Sequence, residues 1–382
     1  MPPEGALEVE EVRGRRGLAR FLAVPDALYA DDPCWVKPLD LERREHLDPS
    51  RNPFLRSIEM VLLVARRNGR DVGRITAQIN RAHLARYGDA TGHMGFLEAE
   101  DDPAVFAALT GAAEAWLRAR GMARVTGPFD PSINDSCGLL VAGFDTPPSM
   151  MMGHHRSWYG PRLEEQGYAK LRDLICYWFD VQAPWPEAAA RLLARSGTRD
   201  RLRVRPLDMR RYREEIATVC AIFNDAWADN WGFLPLEAEE AQHLARSIRP
   251  LVRAEDFAIA ELDGEPAAMV VTLPNLNLAI RDLGGRLFPW GWAKLLWRLK
   301  IRGVPEWRMP LMGVRRAYQN GPWGAALALA VIRAVKESHA ARGTQAAELS
   351  WVLEDNRRTD SLIRLVGGRP YKTYRIYGKE LA

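Results

Sequence analysis

RMPLMGVRRAYQNGPWGAALALAVIRAVKESHAARG, from Arg308 to Gly343, decides the fold. It opens as a short apolar strand, breaks at a polar turn containing Gly and Pro, and runs on as a long alanine-rich helix. A strand feeding a helix through such a turn aims backbone N–H groups and a positive helix end at one point, which suits an anion and commonly a phosphate. Val314, Arg315, Arg316, Gln319, Asn320, Gly321, Trp323, Gly324 and Ala325 are the residues of this turn that would meet the ligand. A turn of this kind standing alone is more often an ordinary corner, so its neighbours have to carry the reading.

Downstream come the strand AAELSWVL, a helix from about Asn356 and a final strand around YKTYRIY. Upstream stand the strand RVRPL, a helix over Asp208–Trp227, a second helix after Pro235, and the strands DFAIAEL and PAAMVVTL. Asp263-Gly264 between those two strands is a tight-hairpin signal, so they are antiparallel. The first half repeats the order: LEVEEV, a helix through Leu28, MVLLVAR, the turn Asn68-Gly69, GRITAQI, GHMGFLE, a helix from Pro103 to Arg120, ARVTGP, a helix near Gly160 to Gln166, and LRDLICYWF. One order of elements met twice predicts an internal duplication. The expected fold is α/β, two tandem domains each with a mixed central sheet flanked by helices. The proline-bearing stretch VQAPWPE divides them into 1–182 and 187–382, with a basic insertion over 281–308.

At 382 residues, two domains are the natural division, and 47% hydrophobic with 27% charged residues sets disordered and fibrous classes aside. The amino terminus has neither a basic nor an apolar leader region and no apolar run reaches membrane-span length, which points to the cytoplasm. Cys34, Cys137, Cys176 and Cys220 lie far apart, so no disulfide framework and no metal site is expected. Net charge is only +4, but Arg281–Arg308 alone holds seven Lys/Arg against two Asp/Glu. These basic residues alternate with tryptophans and leucines and no helix-turn-helix or zinc pattern stands out, so no nucleic-acid partner is expected.

The antiparallel start, the change to strand-helix-strand and the phosphate-type turn together resemble the GNAT acyltransferase fold. That family's pyrophosphate loop reads Q/R-x-x-G-x-G/A, and Gln319-Asn320-Gly321-Pro322-Trp323-Gly324 supplies the first Gln and the last Gly, with Pro322 at the middle Gly. Asn356 matches the Asn that opens the helix after the fifth strand, while Ile363 stands where many GNAT enzymes carry a tyrosine that protonates the thiolate. The first half has Glu98, Glu100, Asp101 and Asp102 at the corresponding turn, where carboxylates repel a pyrophosphate; that domain is therefore expected to shape the acceptor site and the second to bind CoA. The segments GPFDPSINDSCGLLVAGFDTPP, FNDAWADNWGFLPL and ELSWVLEDN resemble those of GNAT-type bacterial ceramide synthases. The resemblance implies acyl-CoA as co-substrate and, as acceptor, the amine of a long-chain base such as sphinganine or 3-oxosphinganine. An N-acetyltransferase of small polar amines and a non-catalytic acyl-CoA sensor are the competing functions.

An amine arrives largely protonated, so a base must remove a proton before attack on a thioester. Glu348, on the fifth strand among apolar Ala347, Leu349 and Trp351, is the first candidate, and His154 and His155 are the alternatives. Asn134, Asp135, Asn230 and Trp231 are candidates for acceptor contact. The segment Leu287–Trp307 is an amphipathic basic stretch, too short and charged to span a bilayer, and is expected to lie on the inner-membrane surface.

Overall fold

The computed structural model of the chain describes residues 6–195, 201–321 and 323–381. Two compact units emerge, Met1–Leu174 with Ile280–Phe288 and Lys372–Ala382, and Ile175–Ala279 with Pro289–Tyr371. In chain order the first half gives β1 (Leu7–Glu11), α1 (Gly14–Leu28), α2 (Asp40–His46), β2 (Ile58–Arg67), β3 (Arg70–Asn80), α3 (Arg81–Tyr87), β4 (Thr91–Ala99), α4 (Pro103–Arg118), β5 (Arg124–Gly127), β6 (Phe129–Asp130), β7 (Ser136–Cys137), β8 (Leu139–Ala142), α5 (Tyr159–Glu165) and β9 (Ala169–Asp180). The second half gives α6 (Glu187–Arg195), β10 (Leu202–Arg205), α7 (Tyr212–Ala226), α8 (Ala238–Ile248), β11 (Phe257–Leu262), β12 (Glu265–Pro274), α9 (Leu276–Ile280), α10 (Gly291–Trp297) continued by one π-helical turn (Arg298–Arg302), β13 (Glu306–Val314), α11 (Arg316–Gln319), α12 (Trp323–Ala341), β14 (Ala346–Leu353), α13 (Arg357–Leu365) and β15 (Arg369–Glu380). Each strand and long helix read from the sequence is present.

In the first unit β1 to β5 pair in order, antiparallel except for parallel β4 and β5, and the end of β15 joins beside β5. The β2–β3 turn closes with Asn68 at φ 52°, as its sequence requires. Val105, Leu109, Ala113 and Leu117, four apart along α4, form the stripe that this helix buries with Ile75 and Leu97 of the sheet. In the second unit β10 to β13 are antiparallel, with Asp263 at φ 53° in the β11–β12 turn, and β13 and β14 are parallel because α12 carries the chain back between them. Leu327, Val331 and Val335 of α12 pack with Ala258, Ala260 and Val270.

The units do not follow the proline-marked boundary. The change falls inside β9, between Leu174 and Ile175, the residues of β15 from Lys372 onward belong to the first unit, and Ile280–Phe288 separates from the rest of the insertion. Arg281 donates to the Pro33 carbonyl at 2.7 Å and Asp40 N–H to the Gly285 carbonyl at 2.9 Å, which hold that piece in the first unit. Pro184 and Pro186 instead mark the entry to α6, a position where proline costs no helix bond.

Candidate active site

β13 and β14 pair at only four positions, Glu306↔Ala346, Trp307↔Ala347, Arg308↔Glu348 and Met309↔Leu349. β13 then runs on to Val314 and β14 to Leu353 without further pairing to each other. The first residue past the last pair is Pro310, which has no N–H to extend the ladder. Between the diverging strands opens a cleft of about 660 Å³, walled by Met309, Met312 and Val314 on one side and by Leu349, Ser350 and Leu353 on the other. Ala325, Ala328 and Ile332 of α12 and Leu362 and Ile363 of α13 complete it.

The turn quoted above closes one end. Val314, Gln319, Gly321, Gly324 and Ala325 line the cleft, as does Asn356. Gln319 does not point outward as a free donor: its Nε2 donates to the Val314 and Ala226 carbonyls at 2.8 and 3.0 Å and ties the turn to β13 and α7. A Cβ on Gly324 would stand 2.8 Å from the Gln319 carbonyl oxygen, so this glycine is required by the turn itself. Pro322 lies outside the described residues. The N-terminus of α12, a helix of 19 residues, faces the cleft with its positive end. Asn356 caps α13, accepting from Thr359 N–H at 3.1 Å.

The arginines differ from expectation. Arg315 donates to the Pro266 carbonyl at 2.7 Å, and Arg316 pairs with Asp225 at 3.4 Å and Asp229 at 3.5 Å; neither lines the cleft. Arg357 and Arg358, from the start of α13, do line it, and Arg358 donates to Asn320 Oδ1 at 2.5 Å. Asn320 thus contributes through Arg358, and Trp323 turns away to stack under Arg201 at 5.0 Å. The pair Arg357-Arg358 follows the cap Asn356 directly, a signal present in the sequence and passed over.

Where the strands part, a buried polar group gathers. Glu348 is 1% exposed; its Oε1 accepts from Ser350 Oγ at 2.5 Å and its Oε2 from the Tyr371 hydroxyl. Arg308 Nε donates to Ser350 Oγ at 2.9 Å and stands 3.6 Å from the Glu348 carboxylate, as its position opposite Glu348 in the ladder dictates. Burial, together with the charge of Glu348, pushes the Glu306 carboxyl upward in pKa, while Asn275 opposes this. Of this group Ser350 lines the cleft and Glu348 does not. Ser350, Tyr371 and Arg308 were not singled out in the sequence, because nothing local marks them. Asn230 lines the cleft, and so does Trp227, whose Nε1 donates to the Met312 carbonyl at 3.0 Å; Trp231 does not.

The remaining candidates belong to the first unit. His155 is buried and its Nδ1 accepts from Leu140 N–H at 3.0 Å; burial lowers its pKa to about 3, which leaves it neutral and a weak base. His154 is likewise lowered by burial, against the pull of Asp32 at 3.0 Å. Asp135 accepts from Ser132 Oγ at 2.7 Å, with its pKa raised by burial, and Asn134 N–H donates to the same hydroxyl at 3.2 Å.

The equivalent gap of the first unit is filled. β4 and β5 pair at three positions, after which Phe96 N–H donates to Asp130 Oδ1 at 2.5 Å, and Gln78 Nε2 donates to the Phe129 and Pro131 carbonyls. A Cβ on Gly95 would fall 1.8 Å from the Phe129 carbonyl oxygen, so the backbone segments touch. Asp102 caps α4 through Ala104 N–H at 2.8 Å and pairs with Arg67, Glu100 pairs with Arg70, and Asp101 with Arg162. Glu98 is buried under the hydroxyls of Tyr29 and Tyr159, and burial lifts its pKa to about 7. The helix end that would meet a pyrophosphate is already satisfied by its own carboxylate.

No protein-family model matches the chain. A bacterial ceramide synthase of Caulobacter vibrioides (strain NA1000 / CB15N) is 48% identical over 376 residues, 98% of each chain. Protein YghO of Escherichia coli (strain K12) is 44% identical over 368 residues, 96% of this chain and 94% of the relative. Among solved structures, a tandem GNAT protein from the clavulanic acid biosynthesis pathway superposes with a TM-score of 0.58 at 13% identity, covering 99% of both chains. A GCN5-related N-acetyltransferase from Sphaerobacter thermophilus gives 0.53 at 15% identity, covering 98% of this chain and 96% of that one. With a tandem GNAT fold and near-full-length identity to that synthase, the chain belongs to the bacterial ceramide synthase family and is an acyltransferase.

Proposed function

We propose that the chain transfers a fatty acyl group from acyl-CoA to the primary amine of a sphingoid long-chain base, forming a ceramide or its 3-oxo counterpart. The observation that carries this is the open divergence of β13 and β14 beside the N-terminus of α12, with Arg357 and Arg358 at the same end. An anionic pyrophosphate suits that end, where helix N–H groups and two guanidiniums converge. The extended thioester arm suits the gap where the β13–β14 ladder stops, and the apolar side chains of Met309, Leu349 and Ile332 suit the acyl carbons. Glu348, one position before the last ladder pair and buried behind Ser350, is the final proton acceptor for the amine, which then attacks the thioester carbon and displaces the CoA thiolate.

A lipid acceptor has to be taken from a membrane, and α10 with its π-helical turn supports this. Trp290 and Ile301 are each 76% exposed, with Trp292, Leu296 and Trp297 about half exposed among Lys294, Lys300 and Arg302. Tryptophans and cations on one exposed stretch suit an anionic lipid surface. Among the described residues no helix is long and apolar enough to cross a membrane; the attachment we propose is at the surface, on the cytoplasmic side. The test is mass spectrometry of products from purified protein, palmitoyl-CoA or acetyl-CoA, and sphinganine, 3-oxosphinganine or a small polar amine. N-acylated long-chain base is expected. Acetylation of the small amine alone, or tight acyl-CoA binding without any product, would replace this function by one of the competing ones.

A further inference from the structure

Ser350 occupies a chemically restricted position. A serine hydroxyl has one proton to give and two lone pairs. The proton is committed to Glu348 Oε1 at 2.5 Å and one lone pair to Arg308 Nε–H at 2.9 Å. One lone pair remains, and Ser350 is the member of the buried polar group that lines the cleft. Toward the cleft it can therefore accept a hydrogen bond and cannot give one. This orientation is held from both sides, since Tyr371 occupies Oε2 of the same carboxylate and Arg308 stands opposite Glu348 in the strand ladder. A thioester carbonyl, which needs a donor, finds none here. An ammonium or amine N–H finds an acceptor whose own proton already points at a carboxylate.

We infer that Ser350 is the catalytic residue that receives the acceptor's ammonium and passes its proton to Glu348, which acts from behind it as proton sink; this rests on the acyl-transfer function proposed above. The ammonium N–H bond breaks as its proton moves to Ser350 Oγ, while the Ser350 O–H proton moves to Glu348 Oε1. The neutral amine then attacks the thioester carbon. When the tetrahedral adduct collapses, the C–S bond breaks, the amide nitrogen loses its second proton, and that proton neutralises the departing thiolate. Glu348 returns its proton to water, so one ammonium and one acyl-CoA give one amide, one CoA thiol and one released proton.

The inference predicts that Ser350→Ala lowers kcat by about 10²-fold with acyl-CoA Kd within twofold of the parent, and that Ser350→Thr, which keeps the hydroxyl, recovers most of the loss. Glu348→Gln should lose as much, and the double variant no more than the worse single one, because the two residues act as a unit. Ser350→Cys, nearly the same size but a weak acceptor, takes the place of the alanine variant should that one fail to bind acyl-CoA, and is expected to lose turnover likewise. Parent-like turnover in either variant, losses that multiply in the double variant, or a threonine variant no better than alanine would overturn the inference while leaving acyl transfer intact. If the parent itself makes no amide while binding acyl-CoA, the proposed function and the inference fall together.

Discussion

Gly321 and Gly324 stand in one turn yet answer different needs. At Gly324 an added Cβ would meet the Gln319 and Tyr318 carbonyl oxygens at 2.8 and 2.9 Å, whereas at Gly321 the nearest atom is the Tyr318 oxygen at 3.8 Å. Charge placed at Gly324 would therefore disturb the turn as well as repel a ligand. Gly321→Asp separates the two: it adds a carboxylate at a helix N-terminus, where a carboxylate is tolerated or stabilising, in a residue that lines the cleft. A like charge some 5 Å from a pyrophosphate costs roughly 1–3 kcal/mol in a partly wet site, so acyl-CoA affinity should fall about 10- to 100-fold by calorimetry with the melting temperature unchanged. Retained affinity would move the phosphate away from this turn. The turn's glycines were legible in the sequence because their spacing is local. Which arginines line the cleft beside it was not: Arg315 and Arg316 are adjacent in sequence but are drawn off by Pro266, Asp225 and Asp229, residues of other elements.

At the scale of elements, the basic stretch shows how a regular wheel misleads. With 3.6 residues per turn throughout, Lys294, Arg298 and Arg302 share one side. The π-helical turn over Arg298–Arg302 shifts that register. Arg298 turns inward and donates to the Ala279 carbonyl at 2.6 Å, while Lys300, Ile301 and Arg302 are exposed. Reversing Lys300 and Arg302 to glutamate therefore leaves the Arg298 anchor in place and alters exposed charge. At about 1 kcal/mol per cation near an anionic surface, vesicle affinity should fall at least about 30-fold, with turnover on a short soluble amine preserved. Co-sedimentation with phosphatidylserine vesicles reads this directly, and binding that ignores anionic lipid would remove the membrane role. The strand β13 carries a comparable local device in Pro310, whose missing N–H falls where the ladder to β14 stops.

For the molecule as a whole, two units of one architecture treat the same gap in opposite ways. In the second it is open; in the first Phe129, Asp130 and Pro131 fill it and Asp102 caps the facing helix. One CoA per chain is therefore expected by isothermal titration, and a second site of similar affinity would show that the first unit opens in solution. The tandem fold, its hairpin turns, the long helices and the glycine turn before α12 were all determined by the sequence alone, because each rests on residues within a few positions of one another: Asn68 and Asp263 at positive φ, Asp102 at its cap, the four-residue stripe of α4. Three things were decided only by tertiary structure. The unit boundary falls within β9 and β15 because strand pairing and packing, not composition, assign a strand to a core. His154 and His155 lie in the first unit, buried and lowered in pKa, for burial is a property of everything packed around a residue. And the Ser350 hydroxyl gains its orientation from Arg308, 42 residues away, and, through Glu348, from Tyr371, 23 residues beyond that carboxylate, since hydrogen bonds reach between whatever strands the fold sets side by side.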